Sequence, residues 1–280
     1  MSKLLTLFKW FVSLGSEPQT FLGARWIQAF LKRVPDRSKR VWALRILALS
    51  PHYFVFPDAS RYRDISMSNQ EYLESASAEI TKSREDIFDR LLSPKLEPSF
   101  TVLDYGCGPG YLAKAVSPNV KRIYAVDISS GAIACAKIVN YAGNIEYHDL
   151  SKGGLDQIPD GSVDVIYSYA VVQHVGKAIF ETILENCRKK LKLGGKLILH
   201  IQFPDDIWKT EEEWVNDVSV AGKVKLNFGL HCFGRTEDEY TELVEKHGFS
   251  DTEVELFTGF DAKYDKELES QRILVAYKRS

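Results

Sequence analysis

Residues 102–111 (VLDYGCGPGY) combine an apolar strand, an acidic residue and a loop with glycine at every second position. Glycine adopts positive φ angles at little cost, and because it has no Cβ it lets a ligand lie against the backbone. A helix that begins near Tyr111 would point unpaired backbone N–H groups into the same space. The residues that this pattern predicts in a ligand site are Asp104, Gly106, Gly108 and Gly110.

Two classes of nucleoside ligand fit this loop. Read from Gly108, the letters GPGYLA match the dinucleotide pattern G-x-G-x-x-A, and Asp127 follows 19 positions later, close to the place of a ribose-binding acid. Pro109 argues against a dinucleotide, because proline lacks the N–H group that a pyrophosphate would need, whereas a sulfonium nucleoside carries no phosphate. The loop therefore favours a sulfonium nucleoside, and an NAD-dependent oxidoreductase is the alternative.

Read from Asp104, the pattern D-x-G-x-G-x-G resembles motif I of the class I S-adenosylmethionine-dependent methyltransferases of the small-molecule and lipid type. The resemblance continues in order from Thr101 to Lys278. It implies an α/β, Rossmann-like fold, in which a doubly wound, mostly parallel sheet of seven strands ends in an antiparallel C-terminal hairpin. It also implies S-adenosyl-L-methionine as the cofactor and S-adenosyl-L-homocysteine as the product. The alternation of apolar strands and amphipathic helices independently predicts a doubly wound sheet with ligands beyond the carboxyl ends of its strands.

Two acidic residues follow predicted strands at the positions where a nucleoside would bind. The segment 122–127 reads as a strand that ends in Asp127, whose carboxylate can accept both ribose hydroxyl groups, with Ile128 beside it. In the resembled family an acidic residue just past the third strand receives the adenine amino group. By position this implies Asp149, with the backbone of Leu150 beside the ring.

Three tyrosines and a serine complete the residues predicted at the cofactor. The strand 163–168 closes on Ser168 and Tyr169, which puts both at its functional end. In the resembled family the region before the core often folds over the methionine end of the cofactor, which implies a contact from Tyr62 or Tyr72. A role in the core or on the surface is the alternative for each of these two tyrosines.

Methyl transfer from a sulfonium requires few catalytic groups, because the donor is already activated. An alcohol or phenol acceptor would gain from a base, and imidazole titrates near neutral pH. His174, six residues after Ser168, is the first candidate and His231 is the second. A purely structural role, bracing the loop, is the alternative for His174. His231 lies in an insertion, 202–235, whose length and aromatic content predict a lid over the acceptor.

The predicted organisation is a helical, amphipathic, basic extension (1–60), a linker with a cap helix (61–98) and an S-adenosylmethionine-binding domain (99–280). A chain of 280 residues with 45% hydrophobic residues can bury one large core with additions. Charge is segregated along it, since residues 1–49 hold nine Lys or Arg and only two Asp or Glu. The cap helix is predicted from the capping box Ser68-Asn69-Gln70-Glu71 to about Leu92.

The basic extension is compatible with three kinds of contact. Basic helices with tryptophan anchors, here Trp10, Trp26 and Trp42, can lie on an anionic lipid surface. Such helices can equally pack against a dimer partner or against their own domain. No apolar run reaches the roughly 18 residues that a membrane span needs. The extension, residues 1–50 in particular, therefore predicts peripheral membrane contact, a homodimer or a lid.

The remaining composition restricts the partners and the compartment. The four cysteines show neither metal-binding nor disulfide spacing, which suits a reducing cytoplasm. The expected location is therefore the cytoplasm, and the alternative is peripheral attachment to the inner membrane surface. The histidines show no paired-ligand spacing, so no metal is expected. The acidic core and the absence of a nucleobase-type motif argue against nucleic acid. The expected acceptor is a small lipophilic metabolite or a lipid. A non-catalytic S-adenosylmethionine-binding partner protein is a further alternative.

Overall fold

The computed structural model describes residues 25–50, 68–202, 208–228, 231–257 and 271–279. The first part of the basic extension, with Trp10, lies outside these residues, and so does Tyr62. No helix among the described residues is long and apolar enough to cross a membrane.

Seven strands form one mixed sheet in the order β3-β2-β1-β4-β5-β7-β6. Strand β7 runs antiparallel to both of its neighbours, β5 and β6, and forms the C-terminal hairpin with β6. The expected Rossmann-like architecture is thereby confirmed. The strands are β1 Thr101–Tyr105, β2 Arg122–Asp127, β3 Ile145–Asp149, β4 Val163–Ser168, β5 Leu191–Gln202, β6 Phe249–Leu256 and β7 Gln271–Lys278.

Described α-helices follow β1, β2, β4 and β5, whereas residues 150–162 between β3 and β4 form only 3₁₀ turns and loop. The capping boxes at Ser68 and Thr236 both form, since each hydroxyl accepts a backbone N–H and each partner glutamate accepts the N–H of the cap residue. The helices are α1 Arg25–Arg33, α2 Asp36–Leu47, α3 Asn69–Ile87, α4 Tyr111–Val116, α5 Ser130–Val139, α6 Lys177–Lys190, α7 Glu211–Asn216, α8 Val220–Phe228 and α9 Glu237–Lys246.

One predicted helix end differs from the structure, because the amphipathic pattern from Ala178 predicts a helix to Leu193 that Gly194-Gly195 would stop. Helix α6 ends at Lys190 rather than continuing to Leu193, because Leu191 already pairs with Val163 and the chain enters β5. Gly194, which we expected to stop the helix, lies instead within β5 at φ 69°, where the register with β4 shifts. The cap helix continues past α3 as a π-helical turn over residues 88–92.

The chain forms two compact units. The first unit contains the described residues up to 95 together with 107–155, and the second contains 96–106 together with the described residues from 156 onward. In the first unit β2 and β3 pair in parallel, so that Asp127 lies opposite Asp149. In the second unit β1 pairs with β4 and β4 with β5, also in parallel.

Helices α1, α2 and α3 belong to the hydrophobic core of the first unit. Ile27, Leu31, Leu44 and Leu47 are each at most 3% exposed and pack in one cluster with residues of α3, α4 and α5. Full burial of such a side chain stabilises the fold by roughly 2 kcal/mol. This part of the basic extension therefore packs against its own chain.

Candidate active site

The glycine loop of the first unit is held by its own backbone and by Asn140. Gly108 and Gly110 adopt φ angles of 52° and 79°, which glycine tolerates without strain. The Cys107 N–H donates to the carbonyl of Val126 at 2.9 Å, and the Asn140 amide donates to the Pro109 carbonyl at 2.8 Å. Proline at 109 thus contributes its carbonyl to the support of the loop.

Gly110 has no room for a side chain. A Cβ there would collide with the Tyr147 hydroxyl and lie 2.8 Å from Cε1 of the same ring. That hydroxyl is fixed, because it donates to the Asn140 carbonyl at 2.9 Å. The Tyr147 ring, held by Asn140, therefore leaves space at position 110 for glycine but not for a residue with a side chain.

Asp127 joins the glycine loop to the start of α5. One carboxylate oxygen accepts the Gly108 N–H at 2.9 Å and the other accepts the Ser129 N–H at 2.7 Å. The side chain is buried, and Ile128 after it is 42% exposed. A carboxylate can accept about four hydrogen bonds, so the two bonds that hold the loop do not by themselves exclude a contact with a ligand hydroxyl.

Asp149, opposite Asp127, is surrounded by donors. Ser130 donates to Oδ2, the backbone and hydroxyl of Ser151 donate to Oδ1 at 3.0 and 2.6 Å, and the Lys152 ammonium lies 2.9 Å from Oδ2. Burial raises the pKa of the Asp149 carboxyl, but these hydrogen bonds and the Lys152 charge outweigh it, so the pKa lies below its ordinary value. A ligand amino group at Asp149 would have to replace one of these donors, most easily the half-exposed Lys152. Leu150 is half-buried and begins the short 3₁₀ turn that ends at Lys152.

In the second unit, Asp104 and Gly106 lie at the carboxyl end of β1 and just beyond it. Asp104 is 2% exposed, and its Cα pairs with that of Tyr167. Gly106 has a φ of 85°, and a Cβ there would collide with Val171. Ala170, beside Val171, adopts a φ of 57°, which costs a non-glycine residue about 1 kcal/mol or more.

The end of β4 is fixed by its last residue, Ser168. The Ser168 hydroxyl donates to the Tyr105 carbonyl at 2.8 Å and is buried. The next ring, Tyr169, packs 4.5 Å from His200 and 6.4 Å from Phe257. His200 is itself buried on β5 and hydrogen-bonds the Gln271 side chain at 3.0 Å. The end of β4 thus leads into a group of packed rings.

The two candidate histidines meet, although 57 positions separate them. Nδ1 of His174 lies 2.9 Å from the backbone carbonyl of His231. A carbonyl oxygen only accepts, so Nδ1 carries the proton, and in the neutral ring Nε2 is the basic nitrogen. The structure thus gives His174 the tautomer that a base acting through Nε2 requires.

Residues 231–235, which we call the strap, run along the loop 172–175 that carries His174. The Phe233 N–H donates to the Gln173 carbonyl at 2.8 Å. The guanidinium of Arg235 donates to the carbonyls of Val172 at 3.1 Å and Val175 at 2.6 Å, one on each side of His174. Arg235 is 6% exposed, and its guanidinium lies within 6 Å of the ring centres of Phe180, Phe233 and Tyr240. The strap therefore fixes the backbone on both sides of His174.

Aromatic side chains surround His231. Its ring centre lies 4.9 Å from that of Phe233 and 5.8 Å from that of Trp214. Trp214 is buried, and its indole N–H donates to the Cys232 carbonyl at 2.8 Å. The described part of the insertion is thus anchored by a tryptophan next to the strap.

Comparison with known families matches residues 103–199 to the family described as methyltransferase domain. The match runs from within β1 into β5 and includes the glycine loop and both acids. Residues 103–199 are thus matched as a methyltransferase domain.

Similar proteins carry the same kind of domain in different settings. The chain is 30% identical over 110 residues to N-demethylindolmycin N-methyltransferase of Streptomyces griseus, which covers 38% of this chain and 46% of that protein. It is 29% identical over 106 residues to ribosomal RNA small subunit methyltransferase C of Pseudomonas syringae pv. tomato, and this alignment covers 36% of this chain and 32% of that protein. The chain spans less than half the length of these curated relatives. One of these relatives is named as a ribosomal RNA methyltransferase. The expectation that this chain has no nucleic-acid partner therefore stays a prediction.

A solved structure shows the same fold as this methyltransferase domain. The S-adenosylmethionine-dependent methyltransferase from Mesorhizobium loti superposes with a TM-score of 0.51 at 17% sequence identity, over 69% of this chain and 98% of that one. At this identity the likeness supports the fold alone.

The structure brings some of the predicted residues together and gives others different surroundings. Asp127 contacts Gly108 and Ser129, and Asp149 contacts Ser130, so that both acids lie at the start of α5. Gly110 lies against Tyr147 instead, and His174 contacts the His231 carbonyl. Tyr72 is half-buried against the helical core of the first unit. Among the described residues no group of three or more His, Cys, Asp or Glu is placed to hold a metal ion.

Sequence reasoning missed Ser130, Tyr147, Asn140 and Arg235. Ser130 had a usable signal, because Ser129-Ser130 follows directly after Asp127-Ile128 at a helix start, where serine hydroxyls face polar neighbours. The other three had none, since each acts through a partner that is distant along the chain.

Proposed function

We propose that the protein transfers a methyl group from S-adenosylmethionine to a small lipophilic acceptor, a metabolite or a lipid. The observation that supports the acceptor class is the aromatic cluster at His231, whose backbone carbonyl contacts His174. The rings of His231 and Phe233 are half-buried and pack together, and the buried Trp214 packs on His231. Aromatic walls with few polar groups suit an apolar small molecule.

The residues of the first unit fit the nucleoside part of the cofactor. In this proposal the backbone cradle that a Cβ at Gly110 would fill faces the nucleoside, the Asp127 carboxylate accepts the ribose hydroxyls and the exposed Ile128 side chain borders the adenine. In this proposal Asp149 and Leu150 border the adenine. When bound, S-adenosylmethionine supplies an electrophilic methyl group on a positively charged sulfur.

His174 would act on the acceptor. Its Nδ1 proton is engaged by the His231 carbonyl, so Nε2 can take the proton from an acceptor hydroxyl as that oxygen attacks the methyl carbon. The leaving sulfur keeps the electron pair of the broken carbon–sulfur bond, and the carbonyl of His231 stabilises the resulting imidazolium. Peripheral contact with a membrane, or homodimer formation, through residues 1–50 is a separate proposal that does not depend on this reaction.

Isotope transfer tests this function. Cell extract is incubated with the full chain and S-adenosylmethionine labelled in its methyl group, and the organic, RNA and protein fractions are read by mass spectrometry. We expect the label in an organic-soluble small product. Label in RNA or protein alone would contradict the acceptor class. Cofactor binding without any label transfer would make the chain a non-catalytic binding protein.

Replacing His174 by asparagine tests the proposed base. The asparagine amide can still donate to the His231 carbonyl, but it cannot accept a proton, so we expect turnover to fall about 100-fold or more with unchanged cofactor affinity. His247→Asn is the matched control, because the Nδ1 of His247 lies 2.8 Å from the Leu243 carbonyl in the same kind of contact. Equal turnover in H174N and H247N would reduce His174 to a structural residue.

Replacing Arg235 tests the strap. In R235K the ammonium cannot span two carbonyls as the planar guanidinium does, so we expect turnover to fall about tenfold through misplacement of His174. If Arg235 acts through His174, adding R235K to H174N produces no further loss. Nitrogen NMR of the histidine rings gives a second readout that needs no acceptor, and we expect the proton of His174 on Nδ1 in the wild type only. Additive losses, together with an unchanged tautomer in R235K, would contradict the positioning role.

A further inference from the structure

The helix pair α1–α2 leaves one face outside the core of the first unit. Its inner face is fixed by the buried residues described above and by three hydrogen bonds of Gln28 and Arg40. Gln28 donates to the Ser130 carbonyl at 3.4 Å and accepts from Lys152 at 3.1 Å. Arg40 donates to the Val139 carbonyl at 3.0 Å. The orientation of the outer face is therefore set by the fold.

The outer face carries a row of aromatic rings. The centres of Trp26 and Phe30 are 6.2 Å apart, and those of Phe30 and Trp42 are 5.2 Å apart, each pair edge to face. Both tryptophans are 39% exposed. The guanidinium of Arg45 lies 4.9 Å from the centre of the Trp42 ring. Two large aromatic side chains exposed side by side are uncommon on the surface of a monomer and indicate a contact site.

The same helices are strongly basic. Residues 25–50 hold seven Lys or Arg and one acidic residue, Asp36. The Asp36 carboxylate pairs with Lys39 at 2.6 Å, and Arg40 pairs with Glu74 at 3.0 Å. The exposed basic residues that make no ion pair with another described residue are Lys32, Arg33, Arg37 and Arg45.

We propose that this outer face, formed by Trp26, Phe30, Trp42 and Arg45, docks the protein on an anionic lipid bilayer with the help of the other exposed basic residues of the same two helices. Tryptophan settles at the boundary between headgroups and acyl chains, where its ring is apolar and its N–H stays hydrated. Each Lys or Arg near an anionic surface adds to the attraction. Ring contact and positive charge on one rigid helix pair are the two signals that stable peripheral binding needs.

The geometry favours lipid over two other occupants. Stacking on nucleic-acid bases needs open ring faces, but these rings pack edge to face and Arg45 covers Trp42. A symmetric dimer would bring together two copies of the same four unpaired cations, and like charges repel. A lipid surface accepts ring edges and cations together. This inference does not depend on the proposed reaction.

Vesicle co-sedimentation of the full chain tests the docking surface. We expect binding to vesicles of equal parts phosphatidylglycerol and phosphatidylcholine, little binding to phosphatidylcholine alone, and weakening by salt. The double variant R37Q/R45Q should bind the anionic vesicles about tenfold more weakly. K121Q/K189Q removes the same charge from exposed positions elsewhere and should bind as wild type.

Replacing the two tryptophans gives a second test of the docking surface. W26A/W42A keeps every charge and should also bind the anionic vesicles about tenfold more weakly, with melting temperatures reporting that the fold is retained. The proposal is overturned if both double variants bind as wild type, or if the charge control loses as much binding as R37Q/R45Q. It is also overturned if W26A/W42A instead abolishes a dimer in sedimentation velocity, or if single-stranded RNA binds the wild type more tightly than the anionic vesicles do.

Discussion

Asp127→Asn is expected to weaken the binding of S-adenosylhomocysteine about 100-fold. The carboxylate accepts the N–H groups of Gly108 and Ser129 and, in the proposed complex, the ribose hydroxyls. Asparagine offers one acceptor oxygen and turns an NH₂ group toward one of the two backbone donors. The loss of charge-assisted hydrogen bonds, each contributing about 1.5–3 kcal/mol, gives the expected size. Calorimetric titration of the variant measures it.

Asp164→Asn is the matched control for Asp127. Asp164 also accepts a backbone N–H, that of Thr101 at 2.8 Å, and it pairs with Lys192. Its replacement should lower the free energy of unfolding without changing the affinity for S-adenosylhomocysteine. If D127N bound as tightly as the wild type, Asp127 would have no role in holding the nucleoside.

Gly110→Ala is expected to lower the free energy of unfolding by about 3 kcal/mol and to abolish detectable cofactor binding. The added methyl group meets Tyr147, whose hydroxyl is held by Asn140, and the φ of 79° strains any residue with a Cβ. The left-handed backbone costs about 1–2 kcal/mol and overpacking a further 1–3 kcal/mol. Urea denaturation and cofactor titration of the same variant measure the two losses.

Gly194→Ala is the control that separates the cost of a positive φ angle from the cost of a steric clash. Gly194 has a φ of 69°, but a Cβ there would meet nothing within 4 Å. This variant should lose only about 1 kcal/mol and keep full cofactor affinity. Equal losses in G110A and G194A would show that backbone strain alone, and not the Tyr147 contact, makes glycine necessary in the loop.

The sheet and the cofactor-facing half of the site could be predicted from the sequence, because both depend on local patterns. Apolar strands that end in Asp127 and Asp149, separated by helices of regular period, imply parallel neighbours with their carboxyl ends together. The register of β2 and β3 sets these two acids opposite each other. Glycine at 106, 108 and 110 signals positive φ, which all three adopt.

The rest depends on contacts between distant residues. No local pattern shows that Arg235 binds the carbonyls beside His174, or that Tyr147 lies against Gly110. The end of α6 was mispredicted because Gly194-Gly195 looks like a helix stop, whereas the pairing of Leu191 with Val163 begins the strand earlier. Long-range pairing overrides local propensity at such boundaries.

Calorimetric titration of the full chain with S-adenosylhomocysteine and, separately, with NAD tests the central claim most directly. The glycine loop, Asp127 and Asp149 are proposed to hold a sulfonium nucleoside or its demethylated product. The prediction is saturable one-to-one binding of S-adenosylhomocysteine and no measurable heat with NAD. Saturable binding of NAD, with none of S-adenosylhomocysteine, would contradict the account.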